Sequence, residues 1–344
     1  MTGRVVEAFA PGRVNLIGEH TDYNDGLALA FAVDAGVTVT ARRLPGTHVV
    51  ALAHDMGQRD SFAVHDTTPS AGWRAYLRGA YAELRRCGYH PPPAQIDISS
   101  NLPAGAGMGS SAALTLALCI ALIELAGAPA PPTLELAAVG QRVEREWTGA
   151  QTGLLDQLAS LSGAGDRAVL IDFKALTLDP APLRLAGHTL ITLGSGTPHA
   201  NASSGYNSRR EECLQAARRM GVESLRDALI QDLHMLPDTL AARARHVIGE
   251  NGRVLAAARA LRDGDPDTLA RLLDVAHASL RDDYQVSTPA VERTVAALKA
   301  AGAIGARLMG GGFGGSVLAL MPPGTVAPAG ATVVSPGPGA HLLN

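Results

Sequence analysis

The sequence predicts an α+β chain of two lobes, the first rich in strands and carrying a glycine-rich loop, the second more helical. Three observations lead there. The chain has 344 residues, 47% of them hydrophobic, which suits two modest cores better than one large one. β-branched and alternating runs crowd the first half, whereas arginine-rich helical periods dominate the second. Glycine and proline (38 and 21) fall between periodic segments, marking turns and no low-complexity tract, and no internal repeat is present.

In order along the chain, Val5–Ala8, Leu27–Ala32 and Val37–Arg42 read as strands, and His48–Val64 as a hairpin. Trp73–Arg86 has helical spacing and ends at Gly88, before Pro91-Pro92-Pro93; Gln95–Ser99 is a short strand. A glycine-rich turn, Leu102–Gly109, leads into an apolar helix, Ser110–Leu125. Helices follow at Leu134–Trp147 and Leu155–Leu161. A strand pair at Ala168–Phe173 and Thr189–Thr192 precedes helices at Ser208–Met220, Pro237–Ala260 and Asp267–Leu280, and Val317–Leu320 is a late strand. The boundary is expected near residue 175, giving lobes 1–175 and 176–344.

Composition removes several function classes. Net charge is −3 and no stretch combines basic with aromatic residues, so no nucleic-acid partner is expected. The most apolar run, Ala112–Ile123, falls short of the ~20 residues a bilayer requires. Because the N-terminal segment also lacks the apolar core of a signal peptide, no membrane partner and a cytoplasmic location are expected. Cys87, Cys119 and Cys213 are too scattered for a disulfide framework or a C-x-x-C zinc pair. Lys174 and Lys299 are the only lysines, and neither lies in a glycine-rich stretch. A Walker-type P-loop is thereby excluded, and any phosphate grip must come from backbone N–H groups, arginine or a metal ion.

Three segments carry candidate chemistry. In Leu102-Pro-Ala-Gly-Ala-Gly-Met-Gly-Ser-Ser-Ala-Ala113, glycines at 105, 107 and 109 let the backbone turn and approach a ligand, while the following helix N-terminus favours an anion. Ser110 and Ser111 would offer hydroxyls to phosphate or Mg²⁺; the alternative is a tight turn with these serines as N-caps. The second segment, residues 10–26, gathers Arg13, Glu19, His20, Asp22 and Asn24. That density of donors and acceptors suits a polyhydroxylated ligand, although Asp22, Asn24 and Asp25 are also turn formers. The third, Gly310-Gly-Gly-Phe-Gly-Gly315, permits close backbone approach, either to a nucleotide or simply for packing.

Together these segments and their order resemble the GHMP family of small-molecule kinases, and GEHTDYN (18–24) is similar to the signature of its galactokinase branch. The resemblance extends through Trp73, Tyr76 and Gly79, VEREWTGAQTGLLDQLAS, SGYNSRREEC, RARHVIGEN, SLRDDYQVS and PGPGAHLL. It implies a two-lobed fold with the active site in the cleft between lobes, the first lobe holding sugar and ATP phosphates. Galactose and ATP would be the partners, Mg²⁺ the metal, and a monomer the expected state. Residue by residue, Asp156 matches the catalytic aspartate and Arg13 the arginine beside it. Glu19, His20, Asp22, Gly153 and Tyr206 match sugar contacts; Ser111 and Glu144 match the Mg²⁺ partners. Gly105, Ala106, Gly107, Met108, Gly109, Ser110 and Ser111 match the triphosphate cradle. The sequence departs from the galactokinase pattern at Gly109, Gly194, Met309 and Ser316. Another sugar-1-kinase of the superfamily, or a sensor that binds both ligands without turnover, stays open. A mevalonate or homoserine kinase would leave His20, Thr21, Asp22 and Tyr23 unexplained.

Overall fold

A computed structural model describes residues 4–66, 68–103, 105–197 and 202–343. The first lobe is built on a sheet containing β1 (Val5–Ile17), β2 (Leu27–Arg43), β3 (His48–Ala53), β4 (Gln58–Ala63) and β5 (Ala94–Ser100), with helix α1 (Trp73–Arg86) between β4 and β5. Helices α2 (Ser110–Leu125), α3 (Thr133–Arg142) and α4 (Leu155–Leu161) follow, then β6 (Arg167–Asp172), β7 (Thr177–Pro182) and β8 (Thr189–Gly194). The rest comprises α5 (Ala202–Met220), α6 (Asp238–Asp263), α7 (Pro266–Asp282), α8 (Pro289–Ala300), β9 (Gly305–Met309), β10 (Ser316–Met321), β11 (Thr332–Val334) and β12 (His341–Leu343).

The first sheet runs β12-β1-β2-β5-β3-β4, with β6 on the early part of β2 and β7 on β6. Its pairs are antiparallel except β3 with β5. A second, antiparallel sheet has the order β11-β8-β10-β9. One apolar core lies between the first sheet and α1, α2 and α3. Another crosses the junction, packing Val14, Leu16 and Phe31 of β1 and β2 against Val254 of α6, Leu273 of α7 and Leu318 of β10. The later half of β1 and the early half of β2 therefore lose the alternation of a half-exposed strand, because both their faces are covered.

That double burial explains where sequence and structure differ. β1 was expected to end at Ala8, yet it runs to Ile17, absorbing Pro11 at one of two register shifts. The two strands expected within residues 27–42 are one long strand, which pairs β6 at its start and β5 at its end. Ala168–Phe173 and Thr189–Thr192 do not pair with each other. The partner of β6 is β7, which Asp179, Pro180 and Pro182 disguise as a loop, a composition that a strand tolerates at a sheet edge. A boundary at 175 thus falls in the β6–β7 turn, and β12 returns the chain's last described residues to the first sheet. The helix expected over Leu134–Trp147 stops at Arg142 and continues as a wide π-type turn, Val143–Thr148. Among the described residues no helix is long and apolar enough to cross a membrane.

Candidate active site

Between β5 and α2 the backbone takes positive φ at Gly105, Gly107 and Gly109 (70°, 67° and 68°), a region other residues enter at a cost. Ala104 lies outside the described residues. The N-cap of α2 is Gly109 and no side chain caps the helix, so the serines do not serve as N-caps. The first N–H groups of a buried, apolar helix are left for another acceptor. This loop, with Ser110 and Ser111, forms one wall of a cavity of about 620 Å³ that continues past Tyr76 to Trp73, Met56 and Ile98.

A second cavity, about 190 Å³, is walled by Glu19, His20, Asp22, Thr152, Gly153 and Tyr206. Arg13, Asp156, Gly310 and Gly311 line both cavities. At that junction Arg13 Nε donates to Asp156 Oδ1 at 2.8 Å, and Nη2 lies 2.7 Å from the same oxygen. Nη1 donates to the Gly107 carbonyl, and the Arg13 N–H to the Met108 carbonyl at 2.9 Å, so one residue ties the glycine loop to the carboxylate. Burial alone would lower the Arg13 pKa, but Asp156, Glu19 and Asp22 carry it above the ordinary arginine value. Asp156 does not cap α4, whose N-cap is Leu154. A Cβ on Gly109 would come 3.1 Å from Asp156 Oδ2, so glycine here leaves the carboxylate its space.

The smaller cavity is braced from distant elements. Glu19 is buried, and its Oε1 accepts from Arg307 Nη2 of β9 at 2.5 Å and from the Gly310 N–H at 2.7 Å. His20 sits at φ 62°, Nδ1 2.7 Å from the Tyr23 hydroxyl, with its ring tilted against Tyr206 and Tyr284. Burial, helped by His246 and Arg209, pushes His20 well below the usual histidine pKa, so the ring is neutral. Burial pushes Asp22 up to about 7, and the neighbouring Asp156 and Glu19 carboxylates push the same way, while the Tyr23 N–H opposes them. Gly153 lies against Asp22: a Cβ there would fall 1.9 Å from Asp22 Oδ2.

Glu144 opens the wide turn and is buried. Its Oε1 accepts from Ser111 Oγ at 2.7 Å, and its Oε2 from Thr152 Oγ1 at 2.6 Å and Gln157 Nε2 at 3.0 Å. Burial raises its pKa, the Asp156 charge adding to the rise and the three bonds opposing it. Among the described residues no arginine or lysine pairs with it.

Every site residue expected from sequence thus lies in or beside one of the two connected cavities. Sequence reasoning assigned no role to Arg307, Thr152, Gln157 or to α6, from which His246 reaches the Glu19 carbonyl, Glu250 the Gly18 N–H, and Asn251 the Leu27 N–H. The one available signal was an arginine inside the otherwise apolar strand Gly305–Met309.

The sequence model for the GHMP kinases N terminal domain matches residues 75–164, and that for the GHMP kinases C terminal matches residues 257–336. Fold and site together define a GHMP kinase, and the mevalonate kinase of Methanococcus jannaschii shares that fold, with a TM-score of 0.64 at 19% identity. Residues 3–43 match the galactokinase galactose-binding signature. The chain is 41% identical over 312 residues to the galactokinase of Thermotoga neapolitana, covering 90% of this chain and 88% of that protein. With the galactokinase of Mycobacterium tuberculosis it shares 40% over 321 residues, covering 91% and 88%. The Lactococcus lactis galactokinase complexed with galactose superimposes with a TM-score of 0.92 at 30% identity, over 99% of this chain and 95% of that one. The chain belongs to the galactokinase family.

Proposed function

We infer that this kinase transfers the γ-phosphoryl group of ATP to the C1 hydroxyl of galactose, giving galactose 1-phosphate and ADP. The observation that carries the reading is the junction: a sugar-sized cavity and a larger one walled by the glycine loop meet at the Arg13–Asp156 pair. Phosphoryl transfer requires positioning and charge neutralisation more than covalent chemistry, and this is where an acceptor hydroxyl and a terminal phosphate would come together.

In this reading Glu19, His20, Asp22, Gly153 and Tyr206 hold the sugar, and Asp156 takes the C1 hydroxyl proton or orients it. Arg13, anchored on the Gly107 carbonyl, keeps its guanidinium between the carboxylate and the phosphates. The backbone of residues 105–111 and the uncapped start of α2 cradle the triphosphate. Ser111 and Glu144 suit Mg²⁺: they are hard oxygen donors 2.7 Å apart, and Glu144 is a buried carboxylate without a cation partner among the described residues. When bound there, Mg²⁺ would neutralise phosphate charge. A monomer is the expected working unit. The division into a sugar- and phosphate-holding first lobe and a second lobe is kept as a proposal, with β7 and β12 belonging to the first sheet.

The test is a coupled ADP-release assay over a sugar panel with Mg-ATP. Galactose should be turned over and glucose barely, because an epimer leaves buried polar groups of the cavity unpaired. Faster turnover of glucose, an amino sugar or mevalonate would overturn the assignment.

A further inference from the structure

Behind the smaller cavity a chain of polar groups runs inward from His20, and its other members have no part in the chemistry above. His20 Nδ1 lies 2.7 Å from the Tyr23 hydroxyl, which lies 2.9 Å from the Tyr284 hydroxyl, itself 3.1 Å from Cys213 Sγ. Tyr284 and Cys213 are buried to within 1% of completely. At the other end, His20 Nε2 is buried and has no partner among the described residues, while the ring lines the cavity. Each hydroxyl has one proton to give, so the direction in which the chain points decides which imidazole nitrogen carries the hydrogen.

One feature sets that direction. Sulfur is a weak acceptor, so the Tyr284 proton is better placed on the Tyr23 oxygen than on Cys213. The thiol stays protonated, burial pushing it up to about 11, and can itself donate to Tyr284. Tyr23, accepting from Tyr284, must then give its own proton to His20 Nδ1.

We propose that the Tyr23–Tyr284 hydroxyl pair fixes His20 as the Nε2–H tautomer, making it a neutral hydrogen-bond donor to a sugar hydroxyl in a cavity where Glu19, Asp22 and Asp156 supply carboxylate acceptors. Tyr23 and Tyr284 are then positioning residues for sugar recognition. The hydroxyl that meets His20 must accept there, which leaves its own proton for Glu19 or Asp22. This role rests on the sugar-site reading above, but the tautomer does not.

The experiment is ¹⁵N NMR of histidine-labelled protein without sugar, with the His20 signals assigned through His20→Gln, beside galactose calorimetry. The wild type should show a pyridine-like Nδ1 and a pyrrole-like Nε2. Tyr23→Phe should move both toward averaged values and weaken galactose about tenfold, the scale of one hydrogen bond. Tyr284→Phe should do the same to a smaller extent. A proton on Nδ1 in the wild type overturns the proposal. So does a Tyr23→Phe protein that binds galactose weakly with unchanged His20 nitrogens, since that loss would be structural. An Nε2–H wild type that takes up no galactose overturns the sugar reading, and the donor role with it.

Discussion

Along the glycine-loop wall of the larger cavity the chain offers mostly backbone: glycines at positive φ, an uncapped helix start, and hydroxyls at the rim. Around the smaller it offers side chains fixed by other side chains, Glu19 by Arg307, 288 positions away, and His20 by Tyr23, three away. A backbone cradle suits phosphate, whose three oxygens need many similar donors. A wall of fixed, unlike side chains suits a ligand told apart by the direction of single hydroxyls. The two regions should therefore fail differently under substitution.

The largest effect should fall where they meet. Asp156→Asn keeps shape and removes charge, so single-turnover transfer should fall about 10²–10⁴-fold while calorimetry shows galactose still bound. Near-normal chemistry would refute the proposed base; lost binding in a folded protein would make Asp156 a sugar ligand only. Glu144→Ala should raise the Mg²⁺ requirement about 10–100-fold with little change in galactose affinity, and an unchanged Mg²⁺ titration would remove its metal role. In the wall, Gly153→Ala drives a methyl group into Asp22 and should weaken galactose about tenfold or more, as overpacking does. Equal sugar affinity would show that Asp22 is free to move.

A smaller effect concerns pH. Asp22 has a folded pKa of about 7 against an ordinary 3.8, so the folded protein holds a proton that the unfolded chain releases. Stability from this group is therefore lost as pH rises from about 4 to 7. Glu144 acts in the same direction, whereas the lowered His20 and His246 act in the opposite one. The difference between Asp22→Asn and wild type isolates the group: the variant's advantage in melting temperature should grow from pH 5 to pH 8. An advantage independent of pH would refute the perturbation. Smallest of all, Ser110→Ala should change the ATP KM by less than about threefold, because the cradle's donors are main-chain; a large loss would mean that the cradle also depends on side chains.

How much could be read in advance follows the same division. The cradle is contiguous, residues 102–113, and its glycines and serines announce it. The sugar loop is contiguous too, and its polar density between apolar runs is visible. Unreadable were the braces. Arg307 is one charge in a five-residue strand, His246 one histidine on a 26-residue helix, and only tertiary contact gives either a meaning. Element boundaries failed for physical reasons as well. β1 loses its alternation once both faces are buried, and β7 carries prolines that only an edge position tolerates. The wide turn at 143–148 follows from Glu144 being drawn in to its three donors, a long-range cause acting on a local pattern.

The Glu19–Arg307 ion pair also orders events in time. The two residues are 288 positions apart, so at about 5–20 residues per second a ribosome needs about 15–60 s after making Glu19 before its partner exists. Throughout that interval Glu19 lacks the Arg307 guanidinium with which it is buried. The wall of the smaller cavity is thus completed only when the late strand β9 arrives, and the first sheet only when β12 returns to β1.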